Sequence, residues 1–173
     1  MWRLAAVVVA LAATALMLAR PAPVYPQSRP QPGSVVLQLG RGAEDITFVP
    51  GAEDELLAMV NEVRREHNLA PVLMNETLRR VARRHSHDMA ERGYIGHGTD
   101  QGESFLARMS KVVSRGTVVG ENVAAAVSVA HAHAAFTHSQ GHLKNILNPG
   151  FRWIGIGVAT YGDLLITTED FAE

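Results

Sequence analysis

The sequence predicts an α+β domain built in layers and closed by a β-hairpin, and three observations lead there. Segments with helical apolar spacing precede and separate β-branched runs, without the regular strand-helix-strand alternation of a doubly wound fold. The chain closes on two strands, Trp153 to Tyr161 and Leu164 to Thr168, joined across Gly162-Asp163, a pair suited to a two-residue primed turn. In the first of these strands Gly155, Gly157 and Ala159 alternate with Ile154, Ile156 and Val158. One of its faces is therefore nearly bare, and another backbone can approach it closely.

The elements are taken in chain order. Residues 1–20 form a signal peptide or an N-terminal membrane anchor. Met1-Trp2-Arg3 is a short basic start, and Leu4 to Ala19 is apolar throughout except for Thr14. A helix over that run reaches ~24 Å, short of the ~30 Å bilayer core, as in a signal-peptide h-region. Its small-x-small site, Ala13-Thr14-Ala15, lies inside the run, so an uncleaved anchor stays open. Either reading exports the rest of the chain. Residues 21–50 read as a largely disordered, Pro-rich linker, with Pro21, Pro23, Pro26, Pro30 and Pro32. Val35-Val36-Leu37 is either a short strand or part of that linker. Residues 51–173 have the size of one domain with one core.

In that domain Glu53-Asp54-Glu55 opens a first helix, with Leu56, Leu57, Val60 and Val63 on one face and His67-Asn68 at its end. Asn75 caps a second helix, which buries Leu78, Val81, Ala82, His85 and Met89 and stops at Gly93. Arg79, Arg80, Arg83 and Arg84 fall on its other side and read as a solvated face supported by Glu76. Tyr94-Ile95-Gly96-His97 is an extended exit. Glu103 to Lys111 forms a short helix, Thr117 to Val123 a strand, Ser128 to Ser139 an alanine-rich helix, and Gln140 to Leu147 a further helical turn stopped by Asn148-Pro149-Gly150.

Charge and cysteine content exclude several functions. Lys and Arg number 16 against 17 Asp and Glu, without the basic stripe a nucleic-acid partner requires. With no cysteine, thiol catalysis and cysteine-ligated metals are ruled out, and an exported domain must be held by packing alone. Three polar residues beside glycines stand out: His97 in Gly96-His97-Gly98, Glu121 in Gly120-Glu121-Asn122, and His142 after Gly141. Two imidazoles and a carboxylate bind a divalent metal or move a proton. Glu121 is the most telling, because a carboxylate among β-branched and apolar neighbours needs a partner or a cavity. His85 reads as a hydrogen-bonded core histidine, and His87 and Asp88 as solvent-facing. His131, His133 and His138 decorate an exposed helix or line a groove.

These segments resemble a known family. His85-Ser86-His87-Asp88-Met89-Ala90, Tyr94-Ile95-Gly96-His97, Gly120-Glu121-Asn122, Ser139-Gln140-Gly141-His142-Leu143-Lys144-Asn145-Ile146-Leu147, Gly155-Ile156-Gly157-Val158 and Glu169-Asp170-Phe171-Ala172 are similar, in order and register, to the bacterial branch of the CAP superfamily. This is the SCP-like domain shared with cysteine-rich secretory proteins, antigen 5 and plant pathogenesis-related proteins. The resemblance covers residues 53–173. It implies a three-layer α-β-α sandwich with a central, mainly antiparallel sheet and a central cleft, where two histidines and two acids converge and a divalent metal, often zinc, lies between the histidines. His97, Glu121 and His142 match three of the four positions. At the fourth, where the family carries an acid after a tryptophan, this chain has Ser139, with Phe136 in place of the tryptophan.

The resemblance implies an extracytoplasmic protein, secreted or anchored by its N-terminal segment. Its cleft takes zinc or another divalent metal on His97 and His142, and an unidentified small-molecule, lipid-like or cell-envelope ligand. The membrane is met only through residues 1–20. The alternative is a metal-assisted, peptidase-like hydrolase in which His97 and His142 hold the ion and Glu121 positions water. Because a firm zinc site has three or four protein ligands and Ser139 supplies no second carboxylate, no residue is assigned a catalytic role; Glu121 is the candidate.

Overall fold

The computed structural model describes residues 37–39, 45–99 and 101–173. The apolar run at 1–20 and the Pro-rich stretch after it lie outside the described residues.

Helix α1 spans Pro50–Glu66, with Pro50 in its first turn, where a missing N–H costs nothing. Helix α2 spans Glu76–Arg92. The Asn75 side chain accepts from the Thr77 and Leu78 amides at 2.9 and 3.1 Å, and Gly93 closes the helix at φ 68°. Helix α3 is shorter than its sequence pattern, Phe105–Met109, and starts at the Ser104 cap. Helix α4 runs Val129–His138 from the Ser128 cap, and α5 runs Gln140–Ile146. Gly141 does not break a continuous helix; it lies in the first turn of a new one.

Strands β1 (Leu37–Gln38) and β3 (Tyr94–Ile95) form a small antiparallel ladder. The main sheet has four strands in the order β2 (Leu73–Met74), β5 (Trp153–Tyr161), β6 (Leu164–Ala172) and β4 (Val119–Ala126). Only β2 is parallel to its neighbour. Gly162 turns the closing hairpin at φ 55°.

The alternation within β5 sorts the layers. Ile154, Ile156 and Val158 pack with Ala52, Leu56 and Val60 of α1, Phe136 of α4 and Ile146 of α5. Each of these side chains larger than Ala52 contributes ~1.5–3 kcal/mol through burial. The glycine face receives α2: a Cβ on Gly157 would stand 2.3 Å from the Arg83 amide nitrogen. That closeness brings the Ser86 hydroxyl within 2.9 Å of both the Gly157 carbonyl and the Thr168 hydroxyl. Helices α1, α4 and α5 on one face and α2 on the other make the three-layer α-β-α sandwich.

The arginine face of α2 differs from its sequence reading. Arg80 and Arg84 are exposed, but Arg79 and Arg83 reach the buried Glu53, donating to its carboxylate at 2.6 and 2.7 Å. Glu53 also accepts from the Val158 amide at 3.3 Å. An acid from α1 thus occupies the edge of β5 where no neighbouring strand runs, and its charge is answered from the opposite layer. Asp88, read as solvent-facing, is half-buried and accepts from Arg92 at 2.8 Å and from the Tyr94 hydroxyl.

Ordered contacts extend upstream of Gly51. The Leu39 amide donates to the Gly93 carbonyl at 2.7 Å, Phe48 bridges to Ala159, and Leu39 and Ile46 cover Met89, Tyr94 and Ile166.

Candidate functional site

Strand β4 is the outer strand of the main sheet, and the site straddles its open edge. Glu121 and Asp170 are register partners across β4 and β6, and Asp170 faces Gly155 on β5, so Glu121 points into the α2 layer. Asn122, one residue on, points into the layer of α1, α4 and α5. His97 arrives in the turn after β3, and His142 arrives on α5 from the other layer. The fold therefore brings the sequence trio together around one strand.

The three residues of Gly120-Glu121-Asn122 each have a separate task. A Cβ on Gly120 would lie 2.7 Å from Asn145 Oδ1 and 3.1 Å from the Phe151 ring, so only glycine lets α5 come this close. Glu121 is buried, with His97 Nδ1 2.9 Å from Oε1 and Arg108 donating to Oε2 at 2.5 Å. Asn122 donates to the His142 carbonyl at 3.3 Å and to Glu169 Oε2 at 2.9 Å. Asn145 ties the set together, donating to the Glu121 carbonyl at 3.0 Å and to Asn122 Oδ1 at 2.8 Å.

The electrostatics follow from burial and from these partners. Burial alone would raise the Glu121 pKa, but the His97 hydrogen bond and the nearby His85 and Arg108 hold it below the usual carboxylate range. An ionised carboxylate only accepts, so His97 Nδ1 carries the hydrogen and, in the neutral ring, Nε2 keeps the lone pair. Burial, reinforced by His97, lowers the His142 pKa and favours its neutral, ligating form. His85 is the core histidine expected from its helix: Nε2 lies 2.8 Å from the Gly96 carbonyl, and burial lowers its pKa. It also lies 3.9 Å from Glu121, so it lines the back of the site.

The other sequence candidates bond within their own helices or at the helix caps. Ser139 joins α4 to α5, and its carbonyl accepts from the Leu143 amide at 2.8 Å. His138 is exposed and bonds the Ala134 carbonyl of its own helix, and His131 meets the Ser128 cap. Three residues carry the site without having stood out in the sequence: Arg108, Asn145 and Asp170. An arginine in a short helix, an asparagine in a helical turn and an acid in a closing strand have no periodic signature.

Two observations test the fit of a metal. His142 Nδ1 is buried with no hydrogen-bond partner, and His97 has its Nδ1 held by a carboxylate, an arrangement typical of a ligating histidine. Among the described residues, however, no group of three or more His, Asp or Glu side chains is placed to hold an ion. The residues that would hold an ion are the two imidazoles of His97 and His142, with water supplying the rest of its coordination.

Glu169 lies fully buried opposite Asn122, and burial pushes its carboxyl up to about 8, against a small opposing effect from the Asn122 hydrogen bond. In the unfolded chain it titrates near the ordinary ~4.3. Between these values the folded state holds a proton that the unfolded state has lost, so stability falls as pH rises from about 4.5 to about 8. Glu169→Gln keeps the Asn122 contact and removes the charge. Urea denaturation should show the variant close to wild type at pH 5 and more stable by ~2–4 kcal/mol at pH 8. Parallel wild-type and variant profiles across that range would show that Glu169 does not hold this proton.

An α-β-α domain with a His-Glu-His cluster at the edge of its sheet defines a class, and similarity to known proteins identifies it. The cysteine-rich secretory protein (CAP) family model matches residues 57–171, and the chain belongs to that family. It is 34% identical over 125 residues to the uncharacterized protein YkwD of Bacillus subtilis (strain 168), covering 71% of this chain and 48% of that protein. It is 31% identical over 108 residues to the uncharacterized membrane protein YlbC of the same organism, covering 62% of this chain and 31% of that protein. The chain thus spans about half or less of the length of these curated relatives. Among solved structures it is similar to an extracellular protein containing a SCP domain from Bacillus anthracis str. Ames, with TM-score 0.64 and 28% identity, covering 72% of this chain and 41% of that one. An outer surface protein of Borrelia burgdorferi shares the fold, with TM-score 0.66 and 20% identity, covering 73% of this chain and 97% of that one.

Proposed function

We propose that this chain is an extracytoplasmic binding domain whose edge cleft holds a divalent metal, zinc by the chemistry of its donors, between His97 and His142. Its further partner is a small or lipid-like ligand of the cell envelope. The observation that carries the reading is the His97 Nδ1 to Glu121 contact at 2.9 Å, which fixes the tautomer and leaves Nε2 as the ligating nitrogen. When bound, the ion supplies Lewis acidity. The chain's own residues orient the imidazoles: Glu121 through His97, and Asn122 through the His142 carbonyl. An extracytoplasmic place is supported by the similar extracellular protein of Bacillus anthracis and outer surface protein of Borrelia burgdorferi, and by the apolar run at Leu4 to Ala19. An apolar ligand is supported by Leu106 and Val118, which stand exposed on the segments leading to Arg108 and Glu121.

Binding is favoured over hydrolysis by the state of Glu121. Both of its oxygens are engaged, and its low pKa makes it a weak general base. Titration of zinc into the full chain by calorimetry tests the metal. The wild type should give a saturating heat that His97→Ala and His142→Ala each remove. Equal heats in all three proteins would reject the site. Chelator-sensitive turnover of peptides or esters that disappears in Glu121→Gln would replace the binding reading with the hydrolase.

A further inference from the structure

We infer that the segment upstream of α1 is a strap whose docking sets the position of His97, so that the chain entering the domain and the cluster on β4 are coupled. The inference concerns the protein without metal and does not depend on the zinc reading.

The strap is held at two places. Its later piece, residues 45–49, completes the free edge of β5. The Val49 amide donates to the Val158 carbonyl at 3.0 Å, and the Thr160 amide donates to the Thr47 carbonyl at 3.0 Å. Thr160 Oγ1 also accepts from the Thr47 amide at 2.9 Å. The Arg83 guanidinium of α2 lies over the Phe48 ring, 5.5 Å from its centre. This piece is therefore tied to elements that the main core already fixes.

The earlier piece is β1, and it sits on β3. The Leu39 amide donates to the Gly93 carbonyl at 2.7 Å. In an antiparallel ladder that bond has a counterpart across the Gln38–Tyr94 pair, from the Ile95 amide to the Leu37 carbonyl. A ladder of two residue pairs is marginal by itself. Its anchor is Leu39, which with Ile46 covers Met89, Tyr94 and Ile166.

Strand β3 is where the strap meets the site. Ile95 precedes His97 by two residues, with Gly96 between them. His85 Nε2 lies 2.8 Å from the Gly96 carbonyl, and Arg108 donates to the His97 carbonyl at 2.9 Å. The His97 side chain is 43% exposed, so packing does not hold it; its backbone and its 2.9 Å contact with Glu121 do. When β1 leaves, the Gly93 carbonyl and the Ile95 amide lose their partners, and the arm from Gly93 to His97 loosens. A shift of about 1 Å there takes Nδ1 out of hydrogen-bond range of Glu121. Docking of the strap and the His97–Glu121 contact thus favour each other, by the reciprocity of linked equilibria. Residues 1–36 join the fold at β1, so whatever holds them acts on this ladder first.

The test is native-state amide exchange by NMR on the full chain without metal. In the wild type the Leu39 and Ile95 amides should open together, and more readily than those of β5 and β6. Leu39→Pro removes the Leu39 donor. It should speed exchange at Ile95 by ~10-fold or more and move the His97 ring nitrogen signals, while β5 and β6 keep their protection. His97→Ala should in turn speed exchange at Leu39, an effect that a strap serving only as a cover would not show. Wild-type Leu39 and Ile95 amides that exchange only on global unfolding would overturn the inference without any variant having to fold. So would unmoved His97 signals in Leu39→Pro, or unchanged Leu39 exchange in His97→Ala.

Discussion

Replacing Arg64 by methionine should lower stability by ~3–5 kcal/mol, the range for removing one partner of a buried charged network. Arg64 is buried in α1, and among the described residues no acid pairs with it. Its guanidinium instead donates to four carbonyls: Ala70 at 2.8 Å, Ile146 at 2.7 Å, Asn148 at 2.9 Å and Phe151 at 3.2 Å. Ile146 ends α5, whose C-terminal carbonyls carry the negative end of the helix dipole. One side chain thus pins the end of α1 to the end of α5 and to the entry of β5. In a domain of this size the loss should appear as a fall of ~10–20 °C in melting temperature. Lysine should rescue little, because its single ammonium cannot span four acceptors held in a fork. Since α5 carries His142 and Asn145, the methionine variant should also weaken the zinc binding proposed above in whatever fraction stays folded. A melting temperature within a few degrees of wild type would show that the clamp carries no load.

The second large effect is expected at Gly155. A Cβ there would lie 2.1 Å from the Leu78 carbonyl carbon and 2.4 Å from the Arg79 nitrogen. These are backbone atoms of α2 and cannot swing aside. Gly155→Ala must lift the helix from the sheet, disturbing the Ser86 contact with Gly157 and the arginine grip on Glu53. Overpacking against a fixed backbone should cost ~3 kcal/mol or more. Gly141→Ala is the contrasting case. Its Cβ would meet only Ser139 Oγ at 4.0 Å, and a helical Gly→Ala change at an open position stabilises by ~0.4–1 kcal/mol. Thermal melts of the two variants side by side should move in opposite directions. Similar melts would mean that α2 can yield, or that α5 is strained at Gly141.

The contrast between these glycines shows what could be read from the chain. The bare face of β5 was legible because alternation is a local pattern with one physical meaning, close approach. The caps of α2 were legible for the same reason: Asn75 and Gly93 each act on their own helix end. The trio His97, Glu121 and His142 was legible through the order of its motifs, which carried register that single residues lack. What stayed hidden is long-range and charged. Arg79 and Arg83 are spaced as a solvated helix face would be, and only the fold brings Glu53 beneath them. Arg64 looks like any arginine near a helix end. Asp170 is one acid in a strand until the pairing of β4 with β6 sets it against Glu121. The two-residue strands β1 and β2 are too short to show a period at all.

The place of the site on β4 has a consequence for solubility. An outer strand with free carbonyls and amides is a template for other chains, and β4 is long, apolar at Val123 to Ala126, and uncharged apart from Glu121. Here a side chain stands in for the missing neighbour: the Asn145 amide takes the Glu121 carbonyl that another strand would otherwise capture. The same side chain that orders Glu121 and Asn122 therefore guards the protein against edge-to-edge aggregation. Any change that releases α5 should expose both hazards together, a disordered cluster and an adhesive strand.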